Sequence, residues 1–366
     1  MRFLSILPRE APSVRPRIYA YLPALAEAGV DATVSPFLSS RAFRGFYRGG
    51  IAGPWSRWAG SVAGYARRAW ELSFEGAPDL AVVHREAVPR GNRWVIDRLR
   101  ARKVPIAYDL DDAIYLAPRD FVAKGEDSRE AMTRGKDPSE VLDLMGAADL
   151  VLAGNETLAA RAREAGARRI VVQPTPVDTD LFRPAAAAAP DAGPPRVGWI
   201  GSPTATYCLR AIAPALAAAA RAAPFRLLVV GASGPVDVPG VEVIRRDWSL
   251  DREAADYASL AVGLYPLPDN PWTRGKCGYK ALLYQSCAVP CLASPVAVSA
   301  EIVQDGVTGF HAADDAAWTD RLVALLRDPA LRARLGAAGR RAVEERWSLR
   351  VLAPKMVSAL KEAAAR

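Results

Sequence analysis

Two lysines in an apolar stretch, Lys276 and Lys280, have a spacing that could serve phosphate chemistry. They are four residues apart, so in a helix they would share one face. The start of a helix also offers free backbone N–H groups and the positive end of the helix dipole. Together these groups would form an anion site suited to a diphosphate. The alternative interpretation is a solvated helix face that binds no ligand.

The residues around the lysines, 269–310, predict the elements that would position them. A polar loop with glycine leads into an apolar helix that carries both lysines in its first turns and ends at Ala288. A proline then opens a short apolar strand, Cys291–Ala293. A second loop follows, and it leads to Glu301 and an Asp-Gly turn.

The stretch 269–310 resembles the donor-binding segment of retaining glycosyltransferases of the family 4 type (glycosyl transferases group 1), which have the GT-B architecture. Residues 301–309 read Glu-Ile-Val-Gln-Asp-Gly-Val-Thr-Gly, and residues 290–294 read Pro-Cys-Leu-Ala-Ser. Both segments match motifs of that family. Weaker similarity occurs at 177–182 and 197–204.

One departure from the family pattern lies upstream of the strand. The two carboxylates of the family's Glu-x7-Glu motif fall on Gly275 and Leu283, so both are absent. In the family these glutamates are thought to hold the donor sugar and the ribose hydroxyls.

The resemblance implies an α/β protein of the GT-B fold, with two Rossmann-like domains facing each other across a cleft. The implied reaction is transfer of a sugar from a nucleotide-diphosphate sugar, UDP- or GDP-linked, to an acceptor hydroxyl. Retention at the anomeric carbon, no required metal and no cofactor are also implied. Lys276 and Lys280, with the helix start, would stabilise charge on the departing diphosphate.

Further donor-binding residues are expected where the strands of the second domain end. The first strand–helix loop brings a glycine and two hydroxyls toward a ligand. The end of a later strand is where such enzymes commonly hold the base. The predicted donor-binding residues are Gly201, Ser202, Thr204, Arg246, Asp247, Arg274, Gly278 and Glu301.

The first domain opens with strand, loop, helix and strand, and ligands lie at the carboxyl ends of such strands. His84 ends the buried strand of residues 79–86, and we expect it to act in catalysis. The alternative is a histidine bonded to the backbone. The predicted acceptor-side residues are Arg15, Arg17, Arg85, Asp109, Asp111 and Asp112.

The three aspartates allow a second interpretation. In GT-A glycosyltransferases an Asp-x-Asp pair holds a divalent metal that bridges the donor phosphates. The βαβ order and the C-terminal segment favour the GT-B interpretation instead. We therefore expect no metal site at Asp109, Asp111 and Asp112.

Composition divides the chain into two domains. With 366 residues, 51% of them hydrophobic, each half can bury a core. A Pro/Ala/Gly-rich segment marks the linker at 185–195. We predict an acceptor-side domain at 1–184, a nucleotide-sugar domain at 196–346 and a final helix, 347–366, that crosses back to the first domain.

Cysteine usage and hydropathy indicate the compartment. Four cysteines without metal-ligand spacing and the absence of a long apolar run predict a cytoplasmic protein with reduced thiols. The net charge of +8 and the pI of about 9.4 suit an anionic partner.

No arginine–aromatic array marks a nucleic-acid surface, so we expect no nucleic-acid partner. Residues 41–75 mix arginine with aromatic residues, which indicates either a contact with an anionic membrane at its inner face, a grip on the acceptor, or a helix packed on its own domain. The acceptor is expected to be a glycan, lipid-linked or small-molecule hydroxyl.

Two rival functions remain open. A glycan phosphorylase of the same architecture would need a pyridoxal phosphate lysine and a longer chain. A catalytically silent sugar-nucleotide-binding or scaffold protein is favoured by the two absent glutamates.

Overall fold

A computed structural model describes residues 1–47, 54–116, 137–185 and 193–365. For residues 44–47 and 54–59 the backbone alone is described. Within these ranges every helix is too short or too polar to span a lipid bilayer.

The described residues form two compact units. Unit 1 comprises residues 1–47, 54–116, 137–176 and 352–365, and unit 2 comprises 177–185 and 193–351. The change between units therefore falls at Val177, whereas the sequence predicts a linker at 185–195. Most of that linker lies outside the described residues.

Unit 1 is built on a six-stranded parallel sheet with the order β2-β1-β3-β4-β5-β6. All residues of β3 and β5 are buried, which is typical of parallel strands covered on both faces. The strands are β1 Arg2–Ser5, β2 Thr33–Pro36, β3 Ala81–His84, β4 Ile106–Leu110, β5 Leu150–Ala153 and β6 Ile170–Val172.

The helices of unit 1 connect these strands. Asn155 caps one of them by accepting a hydrogen bond from the Leu158 amide. They are α1 Val14–Arg17, α2 Leu22–Glu27, α3 Ser40–Tyr47, α4 Pro54–Ser73, α5 Asn92–Ala101, α6 Ser139–Ala147 and α7 Glu156–Glu164.

Unit 2 is built on a second six-stranded parallel sheet, with the order β12-β11-β10-β7-β8-β9. This is the 3-2-1-4-5-6 order of a Rossmann fold. The strands are β7 Arg196–Ile200, β8 Arg226–Val230, β9 Glu242–Arg246, β10 Val262–Tyr265, β11 Cys291–Ala293 and β12 Gly309–His311.

The remaining helices follow the strands of unit 2, and residues 352–364 of the last one belong to unit 1. Asp314 and Asp328 cap two of them through side-chain oxygens. They are α8 Thr206–Ala211, α9 Ala213–Ala222, α10 Glu253–Ala258, α11 Pro271–Arg274, α12 Tyr279–Ser286, α13 Val298–Ile302, α14 Asp315–Arg327, α15 Pro329–Arg346 and α16 Leu349–Ala364.

Tyr284 fixes α12 against the centre of the second sheet. Its ring lies so close to Gly263 that a Cβ there would come within 2.3 Å of it. Its hydroxyl accepts a hydrogen bond from the Ile200 amide at 3.0 Å. The helix that carries Lys280 is thereby held beside the end of β7.

The start of α12 differs from the sequence prediction. The helix begins at Tyr279, so Lys276 lies outside it and the two lysines do not share a helical face. Gly278 has φ of +67°, a left-handed conformation that interrupts a helix. Upstream, Asn270 and Thr273 form a capping box that starts the separate short helix α11.

Candidate functional site

The strand order of unit 2 places a topological switch point between β7 and β10. Ligands of doubly wound sheets bind at the carboxyl ends of the strands at such a point. The segments that follow these two strands are the Gly201 loop and the segment leading to Lys276 and Lys280. The sheet therefore brings the predicted donor-binding loops to one edge.

Lys280 is the second residue of α12 and is half-buried. Its Nζ atom lies 5.3 Å from the ring centroid of Trp199, the fourth residue of β7. A cation at this distance is attracted to the face of an indole. Trp199 is 2% exposed, so the ring is a fixed surface that directs the ammonium group to the end of β7.

Lys276 reaches the same region from a separate segment. Its Nζ lies 5.6 Å from the ring centroid of buried Trp272 in α11. Burial raises the pKa of the Cys208 thiol in α8, and the ammonium groups of Lys276 and Lys280 act in the opposite direction. Both positive charges thus lie within electrostatic range of one thiol on the helix that follows the Gly201 loop.

The Gly201 loop is shaped for close approach. A Cβ on Gly201 would come within 2.2 Å of the Trp199 ring. Ser202 and Thr204 face one another, with 2.8 Å between their hydroxyl oxygens. Ser202 is exposed and Thr204 half-buried, so both hydroxyls remain near the surface of this edge.

Sequence analysis missed two residues of this edge. Trp199 could not be predicted from the sequence, because its contact is with Lys280, a residue distant in sequence. Gly231, which follows β8, has φ of +77°, and a Cβ there would lie 2.3 Å from the Gly201 carbonyl oxygen. A glycine directly after an apolar strand was the available signal for Gly231.

Other predicted donor-binding residues form ion pairs of their own or are exposed. Arg246, at the end of β9, pairs with Asp256 at 2.9 Å. Arg274 pairs with exposed Asp269 at 2.7 Å. Exposed Glu301 lies in α13.

Gly278 is the left-handed cap of α12. Asp247 is exposed, and its backbone carbonyl accepts a hydrogen bond from Arg252.

In unit 1 the switch point lies between β1 and β3. The register pairs Ser5 with His84 and His84 with Asp109, so all three stand side by side where their strands end. His84 Nδ1 lies 2.7 Å from the Asp109 Oδ2 atom. Arg17 in α1 binds both oxygens of the same carboxylate. Three predicted residues therefore form one buried cluster.

The charges of this cluster are balanced. Burial alone would raise the pKa of Asp109, but Arg17 and the hydrogen bond from His84 hold it below its usual value. Burial alone would lower the pKa of Arg17, and Asp109 raises it instead. The buried pair is thus an ionised Asp109 carboxylate with a charged Arg17 guanidinium.

A second cluster follows β3 and β4. Arg85 has φ of +60°, which is unusual for a residue with a side chain. Its Nε lies 2.5 Å from Asp111 Oδ1, and its terminal nitrogen lies 3.8 Å from Asp112 Oδ2. Burial alone would raise the pKa of Asp111, but the Arg85 guanidinium brings it well below its usual value. Arg15 is half-buried and lies two residues before Arg17 in α1.

Metal ligation was the alternative interpretation of these aspartates. In the described part of the chain, no group of three His, Cys, Asp or Glu side chains has an arrangement that could hold a metal ion. A cavity of about 650 Å³ lies at the opposite, amino-terminal edge of the first sheet, near Arg2 and Asp79. We assign it no role, because the clustered side chains lie at the carboxyl edge.

The fold is of the GT-B type. A sucrose-phosphate synthase from Thermosynechococcus elongatus has a similar structure, with 17% sequence identity, coverage of 100% of this chain and 99% of its own, and a TM-score of 0.73. The Anabaena protein HepE, solved with UDP-glucose, has 15% identity, coverage of 99% and 100%, and a TM-score of 0.69.

A UDP-forming α,α-trehalose-phosphate synthase from Burkholderia xenovorans has 15% identity, coverage of 99% of both chains, and a TM-score of 0.62. The predicted fold class, α/β with two Rossmann-like domains, is confirmed.

A family model supports the second unit specifically. Residues 194–328 match the family described as glycosyl transferases group 1. The resemblance predicted from the stretch 269–310 is therefore confirmed. No curated protein sequence matches the chain significantly.

Proposed function

We propose that the protein is a glycosyltransferase that binds a nucleotide-diphosphate sugar through unit 2 and transfers the sugar to an acceptor hydroxyl. The observation that carries this proposal is the Lys280 ammonium group held over the Trp199 ring, which itself lies against Gly201 of the loop after β7. The match to glycosyl transferases group 1 over 194–328 supports the same assignment.

The proposed role of the lysines is electrostatic. As the bond between the sugar and the diphosphate breaks, negative charge grows on the leaving group. Two fixed ammonium groups stabilise that charge more strongly in the transition state than in the bound donor. Backbone N–H groups after Gly201 and at the start of α12 supply further donors to the phosphates.

The donor in this proposal is UDP- or GDP-linked. Support for a uridine nucleotide comes from the HepE structure with UDP-glucose and from a synthase described as UDP-forming. Retention at the anomeric carbon and independence of metal ions and cofactors are part of the proposal, and they rest on the family resemblance. So does a role in the biosynthesis of glycans, glycolipids or glycosylated metabolites.

The acceptor, a glycan, a lipid-linked sugar or a small molecule, is assigned to the carboxyl edge of unit 1. The supporting observation is the set of polar side chains gathered after β1, β3 and β4 at the carboxyl edge of the sheet. We assign His84 the contact with the reacting sugar and give the other side chains acceptor-side roles. They are Arg15, Arg17, Arg85, Asp109, Asp111 and Asp112.

The second candidate function is a catalytically silent sugar-nucleotide-binding or scaffold protein. The observation that favours it is Leu283, which is 1% exposed and occupies the position of the second family glutamate. An apolar side chain packed in the core cannot accept a hydrogen bond from a ribose or sugar hydroxyl.

We also propose that the protein is cytoplasmic and makes a peripheral contact with the anionic inner face of a membrane. Trp70 is 60% exposed and Phe74 is 72% exposed, with their ring centroids 4.8 Å apart. Arg67 lies one turn earlier with its side chain 44% exposed. The opposite side of α4 packs on the rest of unit 1 through buried Arg68 and Leu72. The membrane contact and the packed helix are therefore compatible, because each concerns a different face of α4.

A thermal-shift experiment on the full chain tests the donor site. UDP or GDP, at about a hundredfold above the dissociation constant, should stabilise the fold by about 2.7 kcal/mol. Uridine or guanosine, which lack phosphates, should stabilise it much less. The proposal is wrong if no nucleotide diphosphate or nucleotide sugar raises the melting temperature.

Hydrolysis of the donor without acceptor separates the two candidate functions. A transferase slowly passes the sugar to water, whereas a silent binding protein shows the thermal shift without releasing sugar.

A further inference from the structure

Two adjacent strands of unit 2 end in loops that contact each other. The Gly201 loop, residues 201–205, follows β7, and the β8 loop, residues 231–235, follows β8. A Cβ on Gly231 would come within 2.3 Å of the Gly201 carbonyl oxygen, so the two backbones lie as close as a glycine allows. The β8 loop therefore supports the Gly201 loop from one side.

Thr206, the first residue of α8, joins the two loops through its hydroxyl group. This hydroxyl donates a hydrogen bond to the Pro203 carbonyl in the Gly201 loop at 2.9 Å. It also accepts a hydrogen bond from the Ser233 amide in the β8 loop at 2.9 Å. Thr206 is 1% exposed, so a single buried hydroxyl uses its donor for one loop and a lone pair for the other.

Ser233 adds a second bond between the loops. Its hydroxyl donates to the same Pro203 carbonyl at 2.9 Å. Arg210, one helical turn after Thr206 in α8, donates to the Ser233 carbonyl at 2.6 Å and to the Pro235 carbonyl at 3.2 Å. The β8 loop is thereby held along one face of α8, the face that carries Thr206 and Arg210.

The two hydroxyls fix the direction of one peptide group in the Gly201 loop. The peptide bond between Pro203 and Thr204 is trans, and in a trans peptide the carbonyl and the N–H point in opposite directions. Because the Pro203 carbonyl is held toward Thr206 and Ser233, the Thr204 N–H is directed away from them. The loop conformation thus depends on side chains that follow it in sequence.

We propose that Thr206 and Ser233 are positioning residues that hold the Gly201 loop in one conformation before the donor binds. A nucleotide diphosphate then meets a loop that is already ordered, so binding does not have to order it. We assign neither residue a contact with the donor. The gain in donor affinity rests on the proposed function, whereas the order of the loop in the free protein does not.

Hydrogen exchange of the free full-length chain tests the order of the loop without any ligand. Thr206→Val keeps the size of the side chain but removes the hydroxyl. The amides of Gly201 and Ala205, which donate to backbone carbonyls, should exchange roughly tenfold faster in this variant because the loop opens more often. Unchanged exchange of these amides in folded Thr206→Val would overturn the proposal.

Thr319→Val is the matched control. The Thr319 hydroxyl, in α14 of the same unit, also donates to backbone carbonyls, those of Ala215 and Asp315. The same chemical change there should leave exchange in the Gly201 loop as it is in the parent. Faster exchange of the loop in both valine variants would indicate a general loss of stability and would contradict a specific role for Thr206.

Calorimetry with UDP and with uridine tests the effect on donor binding. Thr206→Val should lower UDP affinity roughly threefold to tenfold, the effect of losing ordinary hydrogen bonds, and Ser233→Ala should lower it about threefold. Thr206→Ser restores the hydroxyl and should recover the affinity of the parent. Uridine, which lacks phosphates, should bind every variant as it binds the parent. Equal losses for uridine and UDP would contradict the positioning of a phosphate-binding loop.

Steady-state kinetics add a second readout that a loss of stability alone would not produce. The KM for the donor should rise in Thr206→Val while kcat changes less, because the bound donor restores the order of the loop. If Thr206→Val does not fold, Ser233→Ala and Thr206→Ser decide by the same measurements. If the parent binds no UDP, the proposed donor site is wrong, and hydrogen exchange still decides whether Thr206 and Ser233 hold the loop.

Discussion

The Nζ atom of Lys280 lies 5.3 Å from the centre of the Trp199 ring, so a helix and a strand distant in sequence fix one positive charge together. The indole holds the ammonium group at the carboxyl end of β7, beside the loop of Gly201. A lysine on a solvated helix face would extend into water rather than lie over a buried aromatic ring. This contact therefore favours a ligand-directed role for the lysine.

Lys280→Ala should weaken binding of a nucleotide diphosphate and lower turnover. A lost charge-assisted contact is worth about 1.5–3 kcal/mol, or roughly tenfold to a hundredfold in binding. Turnover should fall further than donor binding, because the leaving group carries more charge in the transition state. Lys276→Ala should show the same pattern more weakly, since Lys276 lies outside the helix. Calorimetry with UDP and steady-state kinetics measure both effects.

Two controls separate lost phosphate contact from damage to the fold. Lys355→Ala removes the same group from an exposed position in α16 and should change neither quantity. Uridine, which has no phosphate, should bind every variant as it binds the parent. Full turnover and full UDP affinity in both folded lysine variants would mean that the donor site lies elsewhere.

Gly201→Ala should impair the donor loop. The new methyl group would come within 2.2 Å of the Trp199 ring, far closer than carbon atoms can approach. Either the ring moves, which releases Lys280, or the loop shifts away from β7. We expect UDP affinity to fall at least tenfold, as for the loss of one charged contact. Gly76→Ala, where a Cβ meets nothing within 4 Å, is the matched control. Equal UDP affinity in the two variants would contradict this account.

Local sequence predicts most strands of this fold but not the contacts between them. Apolar runs bounded by glycine and proline give β11 at Cys291–Ala293, as observed. The start of α12 could not be predicted, because the apolar periodicity continues through Gly278, where the backbone turns left-handed. The left-handed backbone of Gly278 and the capping box that starts α11 prevent one continuous helix from forming at this point.

The sequence predicts which residues form the candidate site, but it does not predict which of them pair with one another. Asp109 and Asp111 look alike in sequence, yet one binds Arg17 and His84 and the other binds Arg85. These pairings depend on the register of β3 against β4 and on the path of α1. Neither is encoded by the spacing of the aspartates, which fits a metal site equally well.

The ionised Asp111 side chain should stabilise the folded protein at pH values above the pKa of an ordinary carboxyl group. Its pKa in the folded protein is depressed, so the stabilisation is present above the unfolded pKa of about 3.9 and is lost as pH falls through the lower native value. Asp111→Asn should therefore lower the free energy of unfolding at pH 7 by about 1–3 kcal/mol, and by less at pH 3. Urea unfolding at both pH values measures this, with exposed Asp251→Asn as control. Equal losses at both pH values would contradict it.

The exposed rings of Trp70 and Phe74, at the end of α4 and directly after it, should govern association with anionic vesicles. Trp70→Ser with Phe74→Ser removes two aromatic side chains from a face that also carries Arg67. Co-sedimentation with vesicles containing phosphatidylserine should fall at least tenfold, since each buried ring is worth about 1.5–3 kcal/mol. Leu250→Ser removes an exposed apolar side chain from unit 2 and should have no effect. If the parent does not sediment with these vesicles, the membrane contact is wrong.

Removal of divalent metal ions should leave turnover unchanged. Asp109 is bound by Arg17, and Asp111 is bound by Arg85, so guanidinium groups already occupy the carboxylates that an Asp-x-Asp metal site would use. In our proposal the positive charge for the diphosphate comes from Lys276 and Lys280. Initial rates with UDP-glucose should be equal in excess chelator and in magnesium or manganese. Activity that vanishes in chelator and returns with either metal would overturn this prediction and assign the aspartates to metal binding.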